Sequence, residues 1–217
     1  MTADTLTPAQ ASVELRQLLE TLAREGTTLA ERVCGRDGLE PLTIYPGEYG
    51  IFDRRTRSQF YFHRHEDAAH EVGHFHTVRL FPDRVAHLVA ISIGTDGWPT
   101  ALFTVNLWAV GDAEESVANL KSYVKRFRLD ERRAEADMSR AGGNAARPQV
   151  TVAIRFVNLV FEAFRAEIET LQEEKARAID AYRHSHRGEP PFDDRSLEIL
   201  SRTAVDIRHG GRASSGR

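Results

Sequence analysis

Apolar residues recur at helical spacing near both ends of the chain. The first predicted helix begins at Thr7-Pro8, because proline suits the first helical position, and ends between Cys34 and Gly38, with Gly26 as a bend or break. A longer helix is predicted over about 149–187, and its apolar positions alternate at spacings of four and three: Val150, Ile154, Val157, Phe161, Phe164, Ile168 and Leu171. This apolar face is expected to pack within the chain or to form a homodimer with a second copy.

Between these helices the apolar pattern changes to the alternation that is typical of β-strands. Large apolar side chains occur on both faces of the last predicted strand, which is therefore expected at the centre of a sheet. Two more helices are predicted after it, one capped at Gly111-Asp112 and one starting near Phe192. The predicted strands are 42–45, 60–65, 74–80, 87–94 and 100–110, with Asp96-Gly97 as the hairpin turn before the last.

These elements predict an α+β fold. Its core is a small, mainly antiparallel β-sheet or half-barrel over about 42–110, packed by the N-terminal helix and the long C-terminal helix. A chain of 217 residues fits one domain over 1–208, made of an N-terminal helix (1–38), the β core and a helical part (112–208). The last segment, 209–217, is predicted to be a disordered tail.

Composition narrows the classes of function. The formal net charge of −3 provides no basic field for nucleic acid. No stretch approaches the roughly 18 apolar residues of a membrane span, and the N-terminus lacks a secretion signal pattern. We therefore expect a cytoplasmic protein with no nucleic-acid or membrane partner. The single cysteine, Cys34, excludes an intrachain disulfide.

Histidines are concentrated between Phe60 and His76. Imidazole is the commonest protein ligand for metal ions. If the strands predicted over 60–65 and 74–80 pair as an antiparallel hairpin, each HxH pair shares a face and the two pairs converge on one point. Neutral imidazoles together with a carboxylate suit divalent Fe, Zn, Mn, Ni or Cu. The stretch holds five of the nine histidines, and a sixth follows closely: His63, His65, His70, His74 and His76, then His87.

A second interpretation places part of this stretch on a helix. His70 to His74 reads HEVGH, which matches the HExxH motif in which two histidines bind zinc and the glutamate, here Glu71, is the general base. The β-branched and aromatic residues that follow, Thr77 to Phe81, favour a strand and leave little room for a long helix. The strand interpretation is therefore preferred, and the zinc-dependent hydrolase is kept as an alternative.

Three more polar residues belong to the candidate site. His87 is a candidate metal ligand, and alternation places it on one strand face with Val89. Glu71 is the candidate fourth ligand or acid–base group, although parity puts it off the His74 face if the strand extends that far. Asn106 lies in an apolar strand and needs a partner, either a neighbouring backbone group or the bound ligand, so it is the second catalytic candidate.

The segments around these residues resemble an uncharacterised bacterial family with the motifs YYHxH, EHGHFH, HLIAIS and LFTTNRW. Here the matching residues read FYFHRH (60–65), EVGHFH (71–76), HLVAIS (87–92) and LFTVNLW (102–108). The family pattern has no histidine at the position of His70, which argues against the HExxH interpretation. The resemblance implies no reaction, because no activity of the family is known.

A looser likeness is to the cupins. In that family an HxH pair followed by a glutamate on a β-barrel holds Fe, Mn or Zn, and His63 and His65 would be the pair here. Glu71 lies farther along than the usual cupin spacing, so the likeness serves only as an analogy for geometry.

The sequence leaves three functions open. The first is a metal-dependent enzyme, with a non-haem iron oxidoreductase or oxygenase acting on a small-molecule substrate as the first choice. Iron is the first expectation for its divalent ion and zinc the second. The second function is a metal- or haem-binding module without catalysis. The third is a structural protein whose histidines pair with carboxylates, in which case removing metal would not change its stability.

Overall fold

An open antiparallel sheet with helices at both ends of the chain makes up the computed structural model, which describes residues 6–34, 39–47, 49–65, 71–111, 114–134 and 150–208. Its helices are α1 (Pro8–Arg24), α2 (Leu29–Cys34), α3 (Leu107–Val110), α4 (Val117–Arg126), α5 (Val150–Ala163) and α6 (Arg165–Ser185). Its strands are β1 (Ile51–Asp53), β2 (Ser58–His63), β3 (Glu71–Leu80), β4 (Val85–Gly94), β5 (Pro99–Val105) and β6 (Ile199–Ala204). The predicted α+β fold with a mainly antiparallel sheet is confirmed.

The strands lie in the order β1-β2-β3-β4-β5-β6, and every neighbouring pair is antiparallel. The first five strands follow one another along the chain as hairpins, which is the simplest antiparallel connection. The sixth strand joins the outer edge of β5 after the chain has passed through α4, α5 and α6.

The sheet has one face covered by helices, which we call the helix face. Phe75 of β3 is fully buried on this face, and its ring centroid lies 5.5 Å from that of Phe156 on α5. Farther across the sheet, α6 is fixed to the strands by hydrogen bonds. Gln172 donates its side-chain amide to the carbonyl of Leu88 over 2.6 Å, and Ser201 donates its hydroxyl to the carbonyl of Leu171 over 3.0 Å.

The opposite side, which we call the histidine face, carries a different set of side chains. Because alternate residues of a strand point to opposite faces, His74 and His76 lie across the sheet from Phe75. A small apolar cluster of Ala90, Phe103 and Val105 lies apart from the main core. The residues of this face that matter for the site are Tyr61, His63, His74, His76, Ala90, Ser92, Phe103 and Arg202.

The N-terminal helix begins where the sequence predicts. Thr7 caps it: its hydroxyl accepts from the backbone N–H of Gln10 over 3.3 Å, and the Gln10 side chain accepts from the Thr7 N–H over 2.9 Å. This reciprocal pair satisfies two backbone donors at the start of the helix. The helix ends at Arg24, and Gly26, at φ +65°, makes the break before α2.

The long C-terminal helix is present but divided. It runs as α5 and α6 on either side of Phe164, whose backbone leaves the helical region at φ −118° and ψ 25°. The apolar residues of α5 between Ala153 and Phe161 are buried within the chain, so the helix packs against its own sheet and α1. These side chains of the predicted apolar face therefore belong to the core of this chain.

Three sequence predictions for the sheet need correction. Among the described residues, 42–45 form a single bridge, between Tyr45 and Phe62, and no strand. The strand predicted over 100–110 ends at Val105, because Asn106 caps α3. The helix predicted from Phe192 is wrong, since Ile199–Ala204 is strand β6.

The helix cap predicted at Gly111-Asp112 is wrong, because Ser116 caps α4 and Gly111 ends α3. Two other predictions, the histidine at position 70 and the tail 209–217, fall on residues outside the described ranges. In the part of the chain that the structure describes, no helix is both long and apolar enough to cross a membrane.

Candidate metal centre

The pairing of β2 with β3 brings the histidines of two strands together. In this register His63 lies opposite His74, and Tyr61 lies opposite His76. The imidazole centroids of His63 and His74 are 4.5 Å apart, and those of His63 and His76 are 4.8 Å apart. Residues directly opposite on one sheet face are close enough to interact, so strand alternation and register alone account for this convergence.

Three of these side chains are close enough to hold one metal ion. Ligand nitrogens of His63, His74 and His76 all lie within 4.8 Å of one another. The Nε2 atoms of His74 and His76 are 3.0 Å apart. Two nitrogens bound to a single ion lie about 3.0–3.4 Å apart when each metal–nitrogen bond is about 2.0–2.1 Å. The three imidazoles therefore provide the spacing and the donor chemistry of a divalent metal centre.

Glu71 fixes the orientation of His74. Its Oε1 lies 2.9 Å from His74 Nδ1, and its Oε2 accepts from the Ser92 hydroxyl. Because the ionised carboxylate can only accept, Nδ1 of His74 donates in this contact, and Nε2 is left as the metal-facing nitrogen. Histidines that bind a metal almost always donate their other ring N–H to a carboxylate, a backbone carbonyl or a water, and Glu71 provides such a partner here.

The side of the strand predicted for Glu71 is wrong. The prediction placed the carboxylate off the His74 face, but the register of β3 against β4 shifts between Glu71 and Gly73. An extra residue in a strand changes which face the following side chains occupy. The shift returns Glu71 to the histidine face.

His87 is placed beside the cluster as a support for His76. Its Nε2 lies 3.0 Å from His76 Nδ1, and the side chain is fully buried. The sequence placed His87 on one face with Val89, but a second register shift in β3–β4 pairs Thr77 with Val89 and Val78 with His87. The intervening residue turns His87 to the histidine face. Because His87 contacts Nδ1 of His76, the Nε2 atom of His76 faces His74.

His65 lies at the exposed end of the cluster. Its Nε2 is 3.4 Å from Nε2 of His63 and 3.7 Å from a carboxylate oxygen of Glu198. Its side chain is 42% exposed, compared with 3% for His74. The cluster thus extends from solvent at His65 to a buried end at His87.

Burial keeps His63, His76 and His87 neutral. It lowers the pKa of His63 from 6.5 to about 3, with help from the neighbouring rings of His74 and His65. It also holds the pKa of His76 and of His87 well below the ordinary value, and the positive charge of Lys175 adds to the effect at His87. Neutral imidazole is the form that binds metal.

The carboxyl of Glu71 is ionised. Burial raises its pKa, but the hydrogen bonds from His74 and Ser92 and the positive charge of Arg202 outweigh burial and lower the pKa to about 2. An ionised carboxylate beside the imidazole cluster adds the negative charge that attracts a divalent cation.

The helical HExxH arrangement does not form. Glu71–Leu80 is a strand, so Glu71 contacts His74 because of the register shift in this strand and not because the two residues lie one helical turn apart.

Asn106 is held by backbone groups. Its amide nitrogen donates to the carbonyls of Pro191 and Leu197 over 2.7 and 2.8 Å, and its oxygen accepts from the N–H of Leu107. The sequence left open whether Asn106 binds a backbone group or a ligand, and these contacts show that its partners are backbone groups.

Sequence reasoning missed Ser92 and Arg202. Ser92 alternates with Ala90 on β4, so its place on the histidine face could have been found from the β3–β4 pairing. Arg202 lies on β6, a segment predicted as helix, and no signal placed it near the histidines.

Fold and site together define an α+β protein whose open antiparallel sheet carries three histidines able to hold a metal ion. The chain belongs to the family described as a domain of unknown function, DUF6969, whose model matches residues 9–205. This agrees with the resemblance to an uncharacterised family. No curated protein and no solved structure matches the chain.

Proposed function

We propose that this protein is a metal-dependent enzyme in which His63, His74 and His76 hold one divalent ion. The convergence of their three ligand nitrogens within 4.8 Å carries the proposal. Supporting contacts strengthen it, because two of the three rings are each oriented through Nδ1, His74 by Glu71 and His76 by His87. A chance group of histidines would not need this second set of contacts.

The donor set is compatible with iron, which we take as the first choice, and with zinc, which we take as the second. Three imidazole nitrogens suit Fe(II) or Zn(II), and a three-ligand site leaves at least one coordination position for a substrate or dioxygen. We infer non-haem iron oxidoreductase or oxygenase chemistry on a small molecule, in which the metal supplies the Lewis acid or redox centre. Glu71 orients His74 in this scheme, since both of its oxygens already accept hydrogen bonds.

A metal-binding module without catalysis is the second candidate. It is favoured by the burial of His74 and His76, which are each only 3% exposed. Adding azide to the Co(II)-loaded protein separates the two candidates through the visible absorption of cobalt. A change in the spectrum shows an open coordination position and supports the enzyme, whereas an unchanged spectrum shows a closed site and supports the binding module.

The double variant His74→Ala/His76→Ala is expected to lose the metal. The wild-type protein, loaded with Fe(II) or Zn(II) and passed through a desalting column, should retain about one equivalent by elemental analysis, which corresponds to a single three-ligand site. The double variant should retain almost none, because two of three ligands are gone.

The matched control removes two histidines elsewhere. His184 and His186 lie at the exposed end of α6, so His184→Ala/His186→Ala should retain the metal as the wild type does. If the wild type retains no metal, or if the site variant and the control retain equal amounts, the proposed centre is rejected.

Glu71→Gln is expected to weaken metal binding about 10- to 100-fold. Glutamine can still accept from His74 Nδ1, but it removes the negative charge that orients and polarises the ring. Competition against a coloured chelator measures the affinity. Glu114→Gln is the control, because Glu114 is exposed and pairs with Arg183 on the surface. Equal affinities of Glu71→Gln and the wild type would show that the carboxylate does not support the metal.

A further inference from the structure

Arg202 stands on the same sheet face as the proposed metal centre. It lies on β6 opposite Phe103 of β5, and Phe103 in turn lies opposite Ala90 of β4. The short side chain of Ala90 leaves the Phe103 ring free to reach across β4 to β3. The ring centroid of Phe103 is 5.3 Å from that of His74, in an edge-to-face contact.

The guanidinium continues this row of contacts. Its Cζ lies 5.4 Å from the centroid of Phe103, where the face of the ring attracts a cation. The distance from the guanidinium carbon of Arg202 to the ring centroid of His74 is therefore no greater than the sum of these two distances. Its charge also reaches Glu71, the carboxylate that holds His74. Arg202 is thus within the span of a small molecule from the metal position.

Arg202 forms no ion pair with a carboxylate of the described residues. Across the described ranges of the chain no acidic group lies within ion-pair distance of its guanidinium, and the residue is exposed. Other arginines of the protein are paired, such as Arg84 with Glu115 and Arg183 with Glu114. An arginine that is positioned by an aromatic ring and lacks an acidic partner can bind a carboxylate through two parallel hydrogen bonds.

We propose that Arg202 binds the carboxylate of a small acid whose other end reaches the open position of the metal held by His63, His74 and His76. The substrate class is then a short molecule with a carboxylate at one end and a second oxygen donor at the other. This inference rests on the proposed function. It adds a recognition residue on a strand that carries none of the metal ligands.

Glutarate is a suitable probe, because it is a short chain with a carboxylate at each end. Its affinity for the Zn(II)-loaded protein is measured by calorimetry, after the metal content of every sample has been determined. The wild type should bind glutarate and should not bind glutaramide, which has the same length and no charge. Arg202→Gln should weaken glutarate binding about 10- to 100-fold, the range for a hydrogen bond to a charged group. Arg202→Lys should restore part of it, because lysine keeps the charge but not the paired hydrogen bonds.

Arg195 provides the matched control. It is also exposed and also lies over an aromatic ring, with its Cζ 4.6 Å from the centroid of Trp108. Arg195→Gln should bind glutarate as the wild type does. The inference is overturned if the metal-loaded wild type does not bind glutarate at millimolar concentration, or if Arg202→Gln binds it as tightly as the wild type. Failure of the proposed function is a separate result, since it appears earlier as a wild-type protein that retains no metal.

Discussion

The metal-free protein is expected to lose stability steeply as the pH falls from about 7 to about 5. His76 and His87 are fully enclosed, and burial keeps the pKa of each far below 6.5, while that of His63 falls to about 3. Below pH 6.5 the unfolded chain takes up protons that the folded chain does not, so the free energy of unfolding decreases as the pH decreases. Each such imidazole contributes a slope of about 1.4 kcal/mol per pH unit.

The two enclosed rings alone give a slope of up to about 3 kcal/mol per pH unit, which is large against a typical stability of about 5–15 kcal/mol. Glu71 acts in the same direction at lower pH. Because its pKa is lowered to about 2, its contribution is present above the ordinary value of 4.5 and is lost as the pH falls towards 2. Acid should therefore unfold this protein progressively, with no compensating gain from these groups.

Urea unfolding of the chelator-treated protein at pH 7.5, 6.5 and 5.5 measures this dependence. His87→Gln should give a shallower slope, because one buried titrating ring is removed. His184→Asn/His186→Asn changes only exposed rings and should leave the slope as it is in the wild type. A free energy of unfolding that is constant between pH 7.5 and 5.5 would show that the histidines are not held neutral in the fold.

The part of the site that the sequence could predict depends on alternation. The HxH spacing of His74 and His76 on one strand is enough to place both rings on one face. Which ring of the neighbouring strand they meet depends on register, and the register shifts at Val72 and Leu88 have no local signal in the sequence. For this reason the sequence could predict that His63, His74 and His76 lie close together, but not the positions of Glu71 and His87.

Strand β6 was predicted incorrectly for a different reason. Leu197, Leu200 and Val205 recur at a spacing close to that of a helix, and the pattern favoured one. What decides the outcome is the outer edge of β5, which would otherwise leave its backbone groups unpaired. Residues 199–204 pair with the backbone groups of this edge, and this pairing places Arg202 on the histidine face. Tertiary pairing outweighed the local pattern, and a functional candidate was missed with it.

Gly73→Ala is expected to weaken metal binding and to destabilise the fold, although it adds only a methyl group. A Cβ at position 73 would lie 2.4 Å from the backbone oxygen of His63 and 2.7 Å from Cζ of Phe62. The first contact is with backbone, so it can be relieved only by moving β2 away from β3. That movement carries His63 away from His74, its partner in the register. Overpacking of this kind typically destabilises a protein by about 1–3 kcal/mol.

Gly111→Ala separates the effect on the site from the effect on stability. Gly111 has φ +63°, and no heavy atom of the described residues lies within 4 Å of the position of an added Cβ, so alanine there causes backbone strain without a clash in the described structure. The left-handed conformation makes this substitution unfavourable by about 1–2 kcal/mol, close to the effect expected at Gly73. Zn(II) affinity, measured by chelator competition, should then fall in Gly73→Ala and stay at the wild-type value in Gly111→Ala. Wild-type affinity in Gly73→Ala would mean that the ion does not depend on the approach of β2 to β3, and His63 would no longer belong to the ligand set.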